Sequence, residues 1–273
     1  MSIHGGIIMF DYHMHSHFSA DCFVSMEEMV VGSIKKDLKE ICFTEHIDYE
    51  YPDETIVFEF DLQEYEETLK QLQQKYEGQI ILRKGIEIGV QPHLLHRYEK
   101  LMNEEMFDFI ICSMHTTEKK SLHYKEIFTG RTIEEAYKIY YDELLYCVKN
   151  FKQFNVLGHV DLVKRYSEEQ PKANFHDELT AIFNEIIPAG KGIELNTSGV
   201  RYGLPHAMPS DDVLKLYKQC GGEIITLGSD AHRVSELAFQ FRESLELLQS
   251  IGFNHIATFD KQQPTFYSIN SLI

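Results

Sequence analysis

The chain lacks a C-x-x-C pair: its five cysteines, Cys22, Cys42, Cys112, Cys147 and Cys220, are odd in number and widely spaced. That excludes a disulfide framework and a thiolate zinc knuckle, and leaves reduced, packed thiols. No apolar run reaches the roughly 18 residues that a membrane helix needs. The opening MSIHGGIIMF has neither the basic cluster nor the long apolar stretch of a signal peptide. A cytoplasmic protein with no membrane partner is expected. Positive charge is also scarce: 26 Lys and Arg stand against 43 Asp and Glu, a net charge of −17, so the field repels a polyanion and nucleic acid is not expected as a partner. Internal repeats, low-complexity tracts and Pro-, Gly- or Ser-rich linkers are missing too. Nothing in the sequence marks an oligomer interface.

What is present fits one large folded unit. Over 273 residues, 43% are hydrophobic and 25% charged, enough for a sizeable core. One domain spanning residues 1–273 is expected, with residues 1–8 as a flexible N-terminal extension. Strand-like runs fall at Ile7–His15, Glu40–His46, Ile80–Val90, Phe107–His115, Phe154–Val163, Gly192–Gly199 and Glu223–His232. Most are apolar at successive positions, as in strands covered on both faces. Amphipathic stretches alternate with them: Met26, Met29, Val30, Ile34 and Leu38 make one apolar stripe, and Leu62, Tyr65, Leu69, Leu72 and Tyr76 another. Further helices are expected near 93–105, 132–150, 176–187, 210–220 and 235–251. Ser25-x-x-Glu28, Asp61-x-x-Glu64 and Thr132-x-x-Glu135 fit the capping box, in which two side chains satisfy orphaned amides of a first turn.

Strict alternation of strand and helix means an α/β fold with parallel strands, either a doubly wound sheet or a barrel. Helix-to-strand connections are tight, as at Gly78-Gln79 and Gly221-Gly222. Those leaving the strands are long, at 47–60, 116–131 and 199–209. The elaborated end is the C-terminal end of the strands, where barrels build their active sites.

Histidines and acids gather at those strand ends. The first strand ends in Asp11-Tyr12-His13-Met14-His15, the second in Thr44-Glu45-His46, the third in Gly85-Ile86-Glu87 and the fourth in Ser113-Met114-His115. The fifth ends in Gly158-His159-Val160-Asp161, the sixth in Glu194-Leu195-Asn196 and the seventh in Gly228-Ser229-Asp230-Ala231-His232. A lone strand-end histidine is ordinarily a hydrogen-bonded structural residue. Their conjunction on one rim is different, because unpaired buried charge is heavily penalised. A period of two sets His13 and His15 on one face, able to chelate a single ion. The donors are all nitrogen and oxygen, which suits Zn, Fe or Mn and leaves positions for water. Such ions make hydroxide available near neutral pH and clamp the oxygens of a phosphoryl transfer. His123, off this rim, reads as an ordinary histidine, as do His4, His93, His96, His176 and His255.

In this order the motifs Asp-Tyr-His13-Met-His15-Ser, Thr-Glu-His46, Gly-Ile-Glu87, Ser-Met-His115, Gly-His159-Val-Asp161-Leu and Gly-Ser-Asp230-Ala-His232 resemble the polymerase and histidinol phosphatase (PHP) superfamily, and within it the histidinol-phosphate phosphatases. The resemblance covers nearly the whole chain. It implies a distorted (β/α)7 TIM-like barrel with three divalent metal ions. His13, His15, Glu87 and Asp230 would hold one ion; Glu87, bridging, with His115 and His159 a second; His46 and His232 the third. The remaining ligand of the third falls on Asp21, with the nearby His17 as the alternative.

The same resemblance implies that Arg165 and Arg201 bind the substrate phosphate, arginine forks matching phosphoryl oxygens bidentately. Ser198, His206 and His17 are further candidates for substrate contact. Asp161 is a candidate to orient a ligand or water, or to protonate the leaving group, while Glu194 and Asn196 are expected to stand behind the ligands. Glu45, Asp48, Glu50 and Asp53 are carboxylates that could meet a cationic amine. The implied activity is hydrolysis of L-histidinol phosphate to L-histidinol and phosphate, in histidine biosynthesis, by metal-activated hydroxide. The alternatives are another phosphoesterase of this superfamily, acting on nucleotides, phosphotyrosine or oligonucleotides, or an inert metal-binding regulator.

Overall fold

The structure, a computed structural model, describes residues 9–273; the extension expected over residues 1–8 lies outside the described residues. Each of the seven strand-like runs contains a strand: β1 (Met9–Met14), β2 (Leu38–Phe43), β3 (Ile81–Gly89), β4 (Phe109–Ser113), β5 (Val156–Leu157), β6 (Gly192–Asn196) and β7 (Ile225–Gly228). Neighbours in sequence pair in parallel from β1 to β7. A further short strand, His46–Ile47, pairs with β3 so that His46 lies beside Glu87. The last strand comes back to the first: Asp230 N–H donates to the His13 carbonyl (2.7 Å) and His15 N–H to the Ala231 carbonyl (2.9 Å). The result is a nearly closed barrel of seven parallel strands, a distorted (β/α)7 fold. The distortion has two sources. β1 shifts register between Met9 and Phe10 and again between Asp11 and Met14, and β5 keeps only two residues.

The helices cover the barrel for the reasons their sequences suggest. The longest, Ile133–Asn150, buries Tyr137, Tyr140, Tyr141, Leu144 and Val148 on one face, each large apolar side chain contributing about 1.5–3 kcal/mol. Capping boxes form at Ser25 and Thr132. At Asp61 only half of one forms: its carboxylate accepts from the amides of Gln63 and Glu64, and no return bond from Glu64 accompanies it. Two expected strands, Phe154–Val163 and Gly192–Gly199, end early. Residues 158–163 leave the barrel as a turn into the short helix Val163–Tyr166, and Ser198–Arg201 forms another.

The sequence reading assigned no element to the chain's end, and there a hairpin forms, β8 (His255–Asp260) against β9 (Gln263–Ser268). It plugs the barrel end opposite the long loops. Phe259 N–H donates to the Tyr12 hydroxyl (3.0 Å), Tyr12 in turn donates to Glu40, and the rings of Phe109 and Phe259 lie 5.1 Å apart. With one mouth plugged by aromatics, the polar strand ends open onto the other.

Candidate metal centre

Glu87, near the end of β3, is the hub. It is fully buried, and its two oxygens face different histidines. Oε2 lies 3.1 Å from His13 Nε2, 3.1 Å from His46 Nδ1 and 3.6 Å from His15 Nε2. Oε1 lies 3.3 Å from His115 Nε2 and 3.1 Å from His159 Nε2. A carboxylate presenting each oxygen to a separate set of imidazoles has the geometry of a bridge. Ser113 Oγ donates to Oε1 (2.6 Å) and fixes the plane of the group.

Asp230 completes the first set, its Oδ1 3.6 Å from His13 Nε2 and 3.4 Å from His15 Nε2. Its backbone is left-handed (φ 54°), a conformation that aspartate tolerates better than most residues. That turn points the side chain into the cluster while its main chain bonds β1. On the outer side, Asp21 Oδ2 lies 3.3 Å from His232 Nε2 and 3.8 Å from His46 Nε2. Asp21, not His17, approaches this set: His17 is exposed, its ring against Phe18.

The far nitrogens are mostly held from behind, the usual arrangement for metal-binding histidines. His13 Nδ1 meets Glu194 (2.6 Å), His115 Nδ1 meets Asp48 (2.6 Å), and His15 Nδ1 meets Ser19 Oγ (3.0 Å), which donates to Glu45 (2.6 Å). Glu45 and Asp48 therefore serve the cluster from behind. Space for Asp48 exists because residue 89 is glycine: a Cβ there would come within 2.3 Å of the Asp48 carboxylate.

Electrostatics divides the histidines. Burial opposes charge on His13, but the carboxylates of Glu194, Glu87 and Asp230 raise its pKa well above the ordinary value. His115 behaves likewise, burial being outweighed by Asp48 and Glu87. His15 goes the other way: burial, with His232 and His46 beside it, lowers it to about 3. Glu87 is pushed well below the carboxylate range, its burial overcome by His13, His46 and His115.

These residues fit divalent ions. His15 stacks at 4.3 Å on both His46 and His232, and His15 Nε2, His46 Nδ1 and His232 Nε2 are buried with no hydrogen-bond partner. Orphaned buried polar atoms are rare and need an explanation; divalent ions between these nitrogens and the carboxylates facing them would supply one. Among the described residues, donor atoms within 4.8 Å of one another form three sets: His15, His46 and His232; His13, His15 and Glu87; and His46, Glu87 and His115.

The cluster floors a cleft of about 630 Å³. Arg165 and Arg201 line it, together with Tyr51, Phe58, Tyr166, Tyr202 and Arg233. Arg201 donates to the Asp230 carbonyl (2.9 Å), and the Arg165 guanidinium carbon lies over the Tyr202 ring, 3.1 Å from its centre.

Four expected contacts are not made in this arrangement, one of them a substrate contact by His17, which does not line the cleft. Asp161 is fully buried and faces away, its Oδ2 accepting from Ser210 N–H (3.0 Å) and pairing with Lys164 (3.0 Å). β5 ends four residues earlier, so the alternation that would have brought Asp161 inward is broken by the turn. Ser198 does not line the cleft; its hydroxyl donates to Asp230 (3.1 Å) and steadies that carboxylate. His206 bonds the adjacent Ala207 carbonyl (2.7 Å) and also lies off the cleft lining. His123, expected to be ordinary and off the rim, does line the cleft, beside Tyr166. It sits in the long loop 116–131, where no strand periodicity signals a direction. The two loops join: Tyr51 bonds Ser121 Oγ (2.7 Å) and Tyr124 bonds Asp53.

A parallel seven-stranded barrel with imidazoles and carboxylates converging at its C-terminal mouth is the architecture of the PHP domain, whose family matches residues 11–198; the chain belongs to that family. Within it, the chain is similar to histidinol-phosphatases. It is 32% identical to the histidinol-phosphatase of Lactococcus lactis over 254 residues, covering 91% of this chain and 93% of that one. A probable histidinol-phosphatase of Clostridium acetobutylicum is 26% identical, covering 91% of this chain and 96% of its own. The crystal structure of histidinol phosphate phosphatase from L. lactis, complexed with Zn, L-histidinol and phosphate, matches with a TM-score of 0.83 at 30% identity, over 94% of this chain and 98% of that one. Among the described residues, no helix is long and apolar enough to cross a membrane.

Proposed function

We propose that this chain is a metal-dependent phosphomonoesterase that hydrolyses L-histidinol phosphate to L-histidinol and phosphate. The observation that carries the reading is Glu87, shared between two groups of imidazoles at the floor of a cleft that two arginines line. The names of its relatives, and the zinc, histidinol and phosphate bound in the L. lactis enzyme, support the substrate.

Three ions are assigned. His13, His15, Glu87 and Asp230 hold the first, Glu87 with His115 and His159 the second, and His46, His232 and Asp21 the third. Zn, Fe and Mn all suit these nitrogen and oxygen donors. Bound there, divalent ions lower the pKa of water so that hydroxide is available near neutral pH, and they offset charge on the phosphoryl oxygens.

The chain's own residues do the rest. Arg201, anchored by one nitrogen to the Asp230 carbonyl, has its other terminal nitrogen buried and unpartnered, a donor poised for a phosphoryl oxygen. Arg165, over the Tyr202 ring, adds a second guanidinium to the cleft lining. Tyr51, Phe58 and His123, which line the same cleft, are available to pack against the imidazole-bearing leaving group. A cytoplasmic location belongs to the same reading, supported by five free cysteines and by the biosynthetic substrate.

The test is phosphate release from histidinol phosphate, beside mononucleotides, phosphotyrosine and single-stranded oligonucleotides, on protein whose metals are quantified in the same preparation. Strong preference for histidinol phosphate with about three metals per chain is expected. Preference for another ester would overturn the substrate and keep the metal chemistry. Full metal loading with no hydrolysis of any ester would favour an inert metal-binding module.

A further inference from the structure

Glu194 lies in β6 directly behind the cluster, 1% exposed. Its Oε1 accepts from His13 Nδ1 (2.6 Å), and its Oε2 accepts from the main-chain N–H of His159 (3.1 Å) and from the Asn196 amide (3.2 Å). The opposite nitrogen of His13 faces Glu87 Oε2 and the His159 ring faces Glu87 Oε1, each at 3.1 Å. Two buried carboxylates thus grip the same two histidines, Glu87 from the front and Glu194 from the back. The barrel makes room for the second one. A Cβ on Gly228 of β7 would come within 2.2 Å of Glu194 Oε1 and 2.5 Å of His13 Cβ, so the close approach needs glycine there.

A carboxylate at Nδ1 fixes the tautomer that carries its proton on Nδ1 and leaves the Nε2 lone pair for an ion. The same carboxylate sets the main chain of His159, so the positions of donors on opposite sides of Glu87 are not independent. We infer that Glu194 is a positioning residue that holds the two donor sets flanking Glu87 as one unit, so that those two sites take up metal together. The outer set of His46, His232 and Asp21 touches neither oxygen of Glu194 and loads separately. This rests on the ligand assignment proposed above.

The experiment is Glu194→Gln in the full chain, stripped of metal and titrated with Zn²⁺ against a chromophoric chelator, with the melting temperature of the metal-free protein recorded alongside. Glutamine keeps the shape but turns an NH₂ toward one of the two N–H donors. Two of the three sites are expected to weaken together by about 10- to 100-fold, the usual effect of losing an outer partner of a ligand, while the third keeps its affinity. Wild-type affinity at every site would overturn the inference; so would equal weakening of all three with a lowered metal-free melting temperature, the mark of a general loss of structure. If E194Q does not fold, E194D takes its place. It keeps the charge but is one methylene too short to span both contacts, so the two affinities should separate, and unchanged affinities would overturn the inference. Wild-type protein without tight sites would instead remove the metal reading itself, which distinguishes the two failures.

Discussion

Arg201 donates 2.9 Å to the main-chain oxygen of Asp230, so the guanidinium proposed to bind phosphate is braced by a proposed metal ligand. Substituting Arg201→Ala removes a charged, buried donor without touching a ligand side chain. Metal content should stay at the wild-type level while kcat/KM falls by about 10²- to 10³-fold, the range for losing one preorganised donor to a developing charge. Arg201→Lys should recover only part, because lysine cannot hold the Asp230 carbonyl and a phosphoryl oxygen with a planar fork. Loss of metal in Arg201→Ala, read by elemental analysis, would show the brace to be structural.

Glu87→Gln removes the charge that faces five imidazoles. Metal and activity should disappear together. Full activity in this variant would sink the bridging assignment.

Asp161 separates two ideas. A leaving-group acid is typically worth about 10²- to 10⁴-fold in rate. Bound instead to Lys164 and Ser210, Asp161 should cost less than about 10-fold in kcat when replaced by Asn, together with about 1–3 kcal/mol of stability from the partners left behind. A large fall in kcat at unchanged stability would return Asp161 to the reaction.

The metal-free protein should be sensitive to alkali. Burial opposes charge on His232, but Asp21 raises its pKa to about 9, and the raised values of His13 and His115 act in the same direction. A histidine whose folded pKa lies above its unfolded value of about 6.5 adds stability that is complete below that value and fades as pH rises through the folded pKa. The melting temperature of stripped protein should therefore fall between about pH 6.5 and 9. Metal binding should release protons across that range, since an ion displaces them from the imidazoles. Calorimetric titrations in buffers of differing ionisation enthalpy measure that release, and none at pH 7 would contradict the reading.

The fold was legible wherever pattern and physics are local. Runs such as Phe109–Ser113, apolar at successive positions, are buried on both sides and form barrel strands. Ser25-x-x-Glu28 and Thr132-x-x-Glu135 close their capping boxes because those bonds span three residues. The hairpin His255–Ser268 was not legible: its pairing is local, but what holds it, Tyr12 and Phe109, lies far away in sequence. Loop side chains failed in both directions for the same reason. Asp161, a candidate for the site by sequence, pairs with Lys164, and His123, ordinary by sequence, lines the cleft.

By itself the sequence determined that the strands are parallel, that their C-terminal ends carry the histidines and acids, and that Glu87 belongs among them, because strand periodicity and parallel order bring successive strand ends to one rim. Tertiary structure alone decided which oxygen of Glu87 meets which imidazole, that Asp21 rather than His17 approaches His46 and His232, and which carboxylate stands behind each histidine. Those choices depend on the closure of β7 onto β1, on the bend at β5 and on the absent side chains of Gly89 and Gly228, and such contacts between distant segments exist only once the barrel has closed.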